Sequence, residues 1–385
     1  MDAVIESNPL ASSTKFELTL RREDLLKPLQ QISSTIDRKQ TLPILSTILF
    51  RIKDNALTLI GTDLEVELIK TIQLGDPTAD AEVAIPAKKL NDICKALPSD
   101  AMLNLVRQKN QMVLTSGKSR FVLSLLSATD FPTVEKTGDD QLTVPVIASQ
   151  LRRLFEKTHF AMALQDIRYF LNGLLLDIQG SRCTAVATDG HRLASMSMEL
   201  TQSFPERKQV LVPRKAVLEL IKLLHMDEED LLVDVHVGEN YISVQCKEFQ
   251  FTSKLIDGLF PQYQSLIPSH CDKQVLVGKQ AFKDALSRVA ILSNEKYRGA
   301  WMTFADSKVV LRANNPDRDQ AEEELAVDMQ GTEVKIGCNV NYILDVLAVL
   351  DGDQVELKMN DGNSSLLLVS PGSDDGEYVV MPMCL

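Results

Sequence analysis

Apolar and polar positions along this chain switch repeatedly between two rhythms, a short every-other-residue alternation and a longer spacing of three and four. Three segments join the two as a short strand running into an amphipathic helix: Leu18–Ile32, Val144–Thr158 and Val275–Val289. Aligned on Leu25, Leu151 and Phe282, they stand 126 and 131 residues apart. A second set, Ile85–Leu97, Val212–Leu224 and Cys338–Leu350, ends on leucines 127 and 126 residues apart. The pairs Phe131-Pro132 and Phe260-Pro261, 129 residues apart, each close a run of strands. One period from three landmarks predicts a threefold repeat of about 128 residues. It gives domains at 16–138, 139–268 and 269–385, after a disordered lead-in over 1–15.

Each repeat divides into two similar halves of strand, helix, then strands. The stretches Ala56–Ile60, Glu65–Ile72, Tyr241–Cys246 and Val355–Met359 alternate as half-buried strands do, and Asp361-Gly362 is a turn signal. The pattern predicts α+β domains with antiparallel sheets and two helices each, not a doubly wound fold. In Lys88–Leu97 the apolar stripe is Leu90, Ile93, Cys94 and Leu97, with Lys88, Lys89 and Lys95 off it. In the second repeat Val217, Leu220, Ile221 and Leu224 make the stripe and leave Arg214, Lys215 and Lys222. The strand–helix elements carry Arg21, Arg22 and Lys27, then Arg152, Arg153 and Lys157, then Lys279, Lys283 and Arg288.

Charge sharpens this reading. The 385 residues hold 41 Lys+Arg against 53 Asp+Glu, a formal net charge of −12. A solvated helix face explains any single basic run. Five of six helices repeating it in an acidic chain instead predicts a positive surface on a negative body, suited to a polyanion. Aromatic residues, at 5%, are too few for stacking on single-stranded bases. The six cysteines are scattered, as are the five histidines, which predicts reduced and mostly buried thiols without metal or cofactor. Met1–Lys15 has neither a basic start nor an apolar block, and no apolar run is long enough to span a bilayer. The expectation is a soluble, cytoplasmic protein with no membrane partner.

Several motifs carry a family resemblance. They are LKPL and TLPIL within Leu26–Leu45, Gly61–Glu65 (GTDLE), Asp166–Gly173 (DIRYFLNG), Ala187–Leu193 (ATDGHRL), Phe251–Pro261 (FTSKLIDGLFP), Ile291–Gly299 (ILSNEKYRG) and Tyr378–Leu385 (YVVMPMCL). In order, and from about Leu18 to the last residue, the chain resembles the bacterial beta sliding clamps, the beta subunits of DNA polymerase III. The resemblance implies three tandem clamp-fold domains in a ring-shaped, head-to-tail homodimer, with sheets outside and helices lining a hole for double-stranded DNA. Such a ring is a processivity factor that tethers the replicative polymerase without reading sequence, and it needs a separate clamp loader.

The resemblance also implies site residues. A partner-peptide groove between the second and third domains would comprise Leu171, Thr188, Gly190, His191, Arg192, Leu193, Pro261, Ser265, Leu266, Asn339, Tyr342, Ser365, Val379, Val380, Met381, Pro382, Met383 and Leu385. It would serve the polymerase III alpha subunit, the clamp loader and other clamp-binding-motif proteins. Aliphatic and methionine side chains make an adaptable apolar groove for an extended peptide. Where the family often has arginine, this chain has Ser265 and Cys384, which changes the rim rather than the floor. DNA contact falls to Arg38, Lys39, Gln165, Arg168, Tyr169 and Phe170. For the dimer, Phe121 and Leu123 would meet Ile291 and Leu292, while Lys118 and Arg120 face Glu322, Glu323 and Glu324.

Two other readings compete. Asp189-Gly190-His191-Arg192 invites an enzymatic one. No second convergent acid or nucleophile, and no GxSxG, HExxH or P-loop motif, supports it. In the first repeat Gly61-Thr62-Asp63-Leu64 lacks the histidine, so Thr-Asp most simply serves a turn. A repeat scaffold that binds proteins and never encircles DNA would share fold and groove, but gives no reason for basic helix faces.

Overall fold

The structure is a computed structural model that describes residues 16–36, 42–75, 78–134, 142–225, 231–373 and 376–384. The expected lead-in over 1–15 and the site candidates Arg38, Lys39 and Leu385 lie outside these described residues. Among them are six α-helices in three pairs: α1 (Arg22–Thr35) with α2 (Ala87–Ala96), α3 (Ala148–Glu156) with α4 (Arg214–Leu223), and α5 (Lys279–Ala290) with α6 (Val340–Val349). The described strand pairings are antiparallel.

The chain divides into two compact units. The first comprises 1–141 and 241–254. One of its sheets runs Glu17–Arg21, Met102–Gln108, Gln111–Ser116, Ser119–Ser124; the other includes Ala81–Pro86, Thr47–Lys53, Ala56–Thr62, Val66–Gln73, Phe249–Lys254 and Tyr241–Gln245. The second unit comprises 142–240 and 255–385. It holds a four-stranded sheet ordered Gln320–Ala326, Lys308–Asn314, Gly299–Ala305, Val334–Asn339, and the pair Leu142–Ile147 with Leu232–Val237. Its seven-stranded sheet runs Gly173–Thr188, Arg192–Pro213, Gly376–Val380, Leu366–Val369, Gln354–Met359, Lys273–Gly278, Asp328–Gln330.

Each helix starts where a strand ends, with no intervening loop. The helices bury residues at three-and-four spacing, such as Leu25, Leu29 and Ile32 on α1 and Phe282, Leu286 and Val289 on α5. Ile221, expected on the buried stripe of α4, is only half-buried; Ala216 and Leu223 complete that face. Gly61 marks the tightest contact of α1 with its sheet, since a Cβ there would lie 2.4 Å from Ile32 Cγ2.

Only α6 has a side-chain N-cap, Asn339. In α1, α3 and α5 the first helical N–H instead donates to a carbonyl in the segment after the paired helix. Arg22 N donates to Ala101 O at 2.8 Å, Ala148 N to Leu231 O at 2.8 Å and Lys279 N to Asp353 O at 2.8 Å. The side chains at the same positions staple the opposing helix end. Arg22 Nε donates to Cys94 O at 2.7 Å, and Lys279 Nζ to Leu350 O at 2.9 Å. Arg214 Nη1 donates to Met162 O at 3.3 Å, just beyond α3. A cation at a helix C-terminus satisfies its unpaired carbonyls and suits its dipole. These three basic residues, read from sequence as surface charge, therefore cap the neighbouring element.

Of the six thiols, Cys94, Cys183 and Cys338 are buried, Cys246 and Cys271 half-buried and Cys384 exposed. Burial pushes Cys94 up to about 11, and Cys183 and Cys338 up to about 12, whereas Cys384 is exposed. Thiolate is the reactive form. A thiol reagent on the native protein is thus expected to show a fast phase that Cys384→Ser removes, with Cys94, Cys183 and Cys338 reacting only on unfolding. A fast phase of undiminished amplitude in that variant would contradict the assignment, the half-buried Cys246 and Cys271 reacting more slowly.

Candidate functional site

The segment Thr188–Arg192 joins the two longest strands of the second unit as a side-chain-built turn. Thr188 Oγ1 donates to Arg192 O at 2.6 Å and accepts from Gly190 N at 3.1 Å. Asp189 Oδ1 accepts from His191 N at 2.9 Å and Arg192 N at 3.1 Å. The first repeat builds the same turn without histidine: Thr62 Oγ1 donates to Val66 O at 2.8 Å, and Asp63 Oδ1 accepts from Val66 N at 2.8 Å. The Thr-Asp pair is turn chemistry. Gly190 is required, because its φ is +88° and the Arg168 guanidinium lies 3.0 Å from where its Cβ would be.

Arg192 is the hub. Its Nε donates to Asp189 Oδ2 at 3.1 Å, Nη2 donates to Phe160 O at 2.9 Å, and Nη1 pairs with Asp345 on α6. The guanidinium lies 4.6 Å from the Tyr342 ring centroid, and His191 stacks on the same ring at 6.3 Å. Arg192 therefore ties the 188–192 turn to α6 and fixes Tyr342 beside His191. Asp345 and Phe160 were not expected at this site. Asp345 lies one helical turn beyond Tyr342, but sequence alone does not pair it with Arg192.

Beside the turn lies an apolar cluster of Leu175, Val186, Leu193, Leu211, Tyr263, Leu367, Val369 and Val379, flanked by Phe170, Ile256, Phe260 and Ile267. Of the expected groove residues, Leu171, Leu193, Val379 and Val380 are buried, while Pro261, Ser265, Leu266, His191 and Met381 are exposed. Asn339, Tyr342, Ser365, Pro382 and Met383 are half-buried. The C-terminal strand pairs Val379 with Leu193, and Met381 N then donates to His191 O at 2.9 Å. Met383 N donates to Gly337 O at 2.7 Å, pinning the tail along a sheet edge.

The short 3-10 helix Tyr263–Leu266 carries the rim residues Ser265 and Leu266. Its anchor is Tyr263, whose hydroxyl donates to the buried Asp177 Oδ2 at 3.1 Å; Arg207 clamps both oxygens of Asp177 at 2.8 and 2.6 Å. Burial pushes the Tyr263 hydroxyl up to about 12, and the nearby Asp177 charge adds to it. None of the three residues was expected, since the strand and the rim lie 86 positions apart.

The DNA-contact candidates Gln165, Arg168, Tyr169 and Phe170 fall on one loop against the 188–192 turn. Arg168 pairs with Asp166 through Nε at 3.0 Å and Nη2 at 2.8 Å, holding that carboxyl down to about 2. Nη2 also donates to Asp189 O at 3.2 Å. Ile167, Leu164 and Tyr169 are exposed on this loop. Of the wider basic set, Arg153 and Lys157 share Asp351 at 2.8 and 2.5 Å, and Lys222 pairs with Glu219 at 2.8 Å. Lys27, Lys88, Lys89 and Lys95 are exposed and make no ion pair among the described residues.

Of the dimer candidates, Arg120, Phe121 and Leu123 lie on the edge strand Ser119–Ser124 of the first unit, with Lys118 just before it, and Glu322, Glu323 and Glu324 on the edge strand Gln320–Ala326 of the second, while Ile291 and Leu292 follow α5. Strand alternation divides the expected acidic run. Glu323 is half-buried and paired with Arg288 on α5 at 2.7 Å, whereas Glu322 and Glu324 are exposed and meet Arg312 at 2.6 Å and Lys308 at 3.0 Å. Arg120 and Lys118 are exposed, Phe121 is half-buried and Leu123 buried; Val122, not expected, is exposed. Ile291 is exposed and Leu292 half-buried. Among the described residues, no three His, Cys, Asp or Glu side chains are grouped to hold a metal ion.

A helix pair against antiparallel strands, repeated three times, with an apolar cluster beside the C-terminal strand, is the architecture of a polymerase processivity clamp. Family models for the DNA polymerase III beta subunit match throughout: the N-terminal domain over 16–135, the central domain over 146–262 and the C-terminal domain over 264–384. The chain belongs to this family, the bacterial beta sliding clamps. The beta sliding clamp of Pseudomonas putida is 48% identical over 367 residues, covering 95% of this chain and 99% of that one. That of Escherichia coli K12 is 42% identical over 370 residues, covering 96% and 100%. The crystal structure of the DNA polymerase III subunit beta from Pseudomonas aeruginosa matches with a TM-score of 0.93 at 46% identity, covering 96% and 100%. The chain is thus a non-catalytic polymerase subunit, a cytoplasmic processivity factor of DNA replication that works with DNA and DNA polymerase III.

Proposed function

We propose that two copies close head-to-tail into a ring around duplex DNA, and that the groove of the second unit takes extended peptide segments from its partners. These partners are the polymerase III alpha subunit, the clamp loader and other proteins with the same leucine and phenylalanine anchors. The domain boundaries are 16–138, 139–268 and 269–385, with 1–15 an extension. The apolar cluster around Leu193 and Val379, floored by buried side chains and rimmed by Leu266, Met381 and His191, carries the groove reading.

Head-to-tail closure needs two different patches on each copy, each complementary to the other. Two edge strands, each with unpaired backbone groups on one side, supply them. The carboxylates of Glu322, Glu323 and Glu324 already have cations within the chain, so strand pairing and apolar contact outweigh ion pairing with Lys118 and Arg120. DNA is met by exposed lysines on the helices and by the 165–170 loop, through phosphate attraction without base reading.

Fluorescence anisotropy of a labelled QLSLF-type peptide tests the groove. Saturable binding is expected, weakened about tenfold by His191→Ala, because the ring that stacks on Tyr342 at the rim is removed. Affinity unchanged in that variant would move the peptide site elsewhere.

A further inference from the structure

Lined in part by the C-terminal tail is a cavity of about 580 Å³. It shares His191 and Met383 with the groove candidates, and Cys384 stands at its edge. Trp301, the chain's only tryptophan, and Tyr297 supply its aromatic surface. The walls are built rather than loose. Asn294 Oδ1 accepts from Lys296 N at 2.9 Å and Tyr297 N at 3.2 Å, fixing one loop. Opposite, Asn315 Nδ2 donates to Asp319 Oδ2 at 3.0 Å and Asn315 Oδ1 accepts from Asp319 N at 2.9 Å. The tail is held by Met383 N on Gly337 O.

The electrostatics are selective. Arg312 in the wall is already bound to Glu322 at 2.6 Å. Lys335 lies 4.2 Å from the Trp301 ring centroid and Lys296 lies 5.2 Å from that of Tyr297, and neither makes an ion pair among the described residues. Neither lysine lines the cavity itself, but each sets a cation against the ring of a lining aromatic, and such a surface complements an aromatic side chain next to a carboxylate. The volume is within the range of a side-chain or small-ligand pocket.

We propose that this cavity is a second anchor pocket for partner segments, taking an aromatic residue flanked by Asp or Glu from the same peptide that occupies the groove. The inference rests on the groove reading, and His191 and Met383 provide the continuity between the two sites. Partners carrying the extra anchor would then outcompete partners that end at the shared core motif.

The test uses the full chain and three peptides: the QLSLF-type core, and the core extended by an Asp-Phe pair through two glycines at its N-terminus or at its C-terminus. One extended peptide is expected to bind about tenfold tighter than the core and to shift Trp301 emission, as burial of one aromatic side chain allows. The core alone should leave that emission in place. Tyr297→Ala, at an exposed position, should erase the gain without changing core affinity, and Trp301→Leu should do the same. Equal affinities for all three peptides, or a gain surviving both substitutions, would overturn the second pocket while leaving the groove standing. Failure of the core peptide itself to bind would overturn the groove and this pocket together.

Discussion

A chain ending at Val380 is expected to lose binding of a QLSLF-type peptide by more than about a hundredfold while remaining folded. A hundredfold corresponds to about 2.7 kcal/mol. The strand Gly376–Val380 keeps its pairing with Arg192–Met196 and Leu366–Leu368, so the sheet survives the cut. The cut removes Met381, Pro382 and Met383 from the rim, together with the hydrogen bonds from Met381 N to His191 O and from Met383 N to Gly337 O. His191 O then loses its bond to the tail, and the Trp301 cavity loses Met383 and Cys384 from its lining. Each lost backbone bond contributes about 1 kcal/mol to local order, too little to unfold a unit with this many buried side chains. Circular dichroism and the melting temperature should therefore change little while anisotropy shows no saturation. Full-strength binding by the shortened chain would place the peptide site away from the C-terminal tail.

The repeat and the helix pairs were legible in the sequence because amphipathic spacing and a common period are local, countable signals. Leu25, Leu151 and Phe282 occupy equivalent buried positions on α1, α3 and α5, as their alignment implies. The charges were legible as positions but not as partners. Arg22, Arg214 and Lys279 look like surface cations until the fold brings each to a carbonyl at or just beyond the end of the paired helix, 72 residues away for Arg22 and Cys94. The run Glu322–Glu324 reads as one acidic patch in sequence, yet strand pleating sends its middle member to Arg288 on α5. The Tyr263–Asp177–Arg207 anchor and the Arg192–Asp345 link share this origin. Each joins residues far apart in the chain through side-chain geometry that periodicity does not encode. The groove candidates themselves came from motif resemblance, and the structure adds which of them are buried and which are exposed.

The same distinction selects the substitutions that test DNA encirclement. Lys88, Lys89 and Lys95 on α2 are exposed and make no ion pair among the described residues, so their charges act outward. Arg153 pairs with Asp351, and Arg152 contacts Glu156 at 3.6 Å and His225, so their charges are already engaged within the chain. Reversing the three lysines to glutamate changes the local charge by six. Clamp loaded onto nicked circular DNA should then be lost on the order of a hundredfold faster at about 0.1 M salt, with a shallower salt dependence because fewer counterions are displaced. Stability should be unaffected, since exposed substitutions away from special contacts cost within about 0.5 kcal/mol. Arg153→Glu should behave oppositely. It sets a like charge against Asp351, whose carboxyl Lys157 and Arg153 together hold below its usual range against the opposing effect of burial. Its main consequence is therefore a lower melting temperature, with retention on DNA changed little. Reversed lysines that leave retention and its salt dependence intact would mean that α2 does not face the DNA path. That result would favour a scaffold that binds partner peptides without enclosing a duplex.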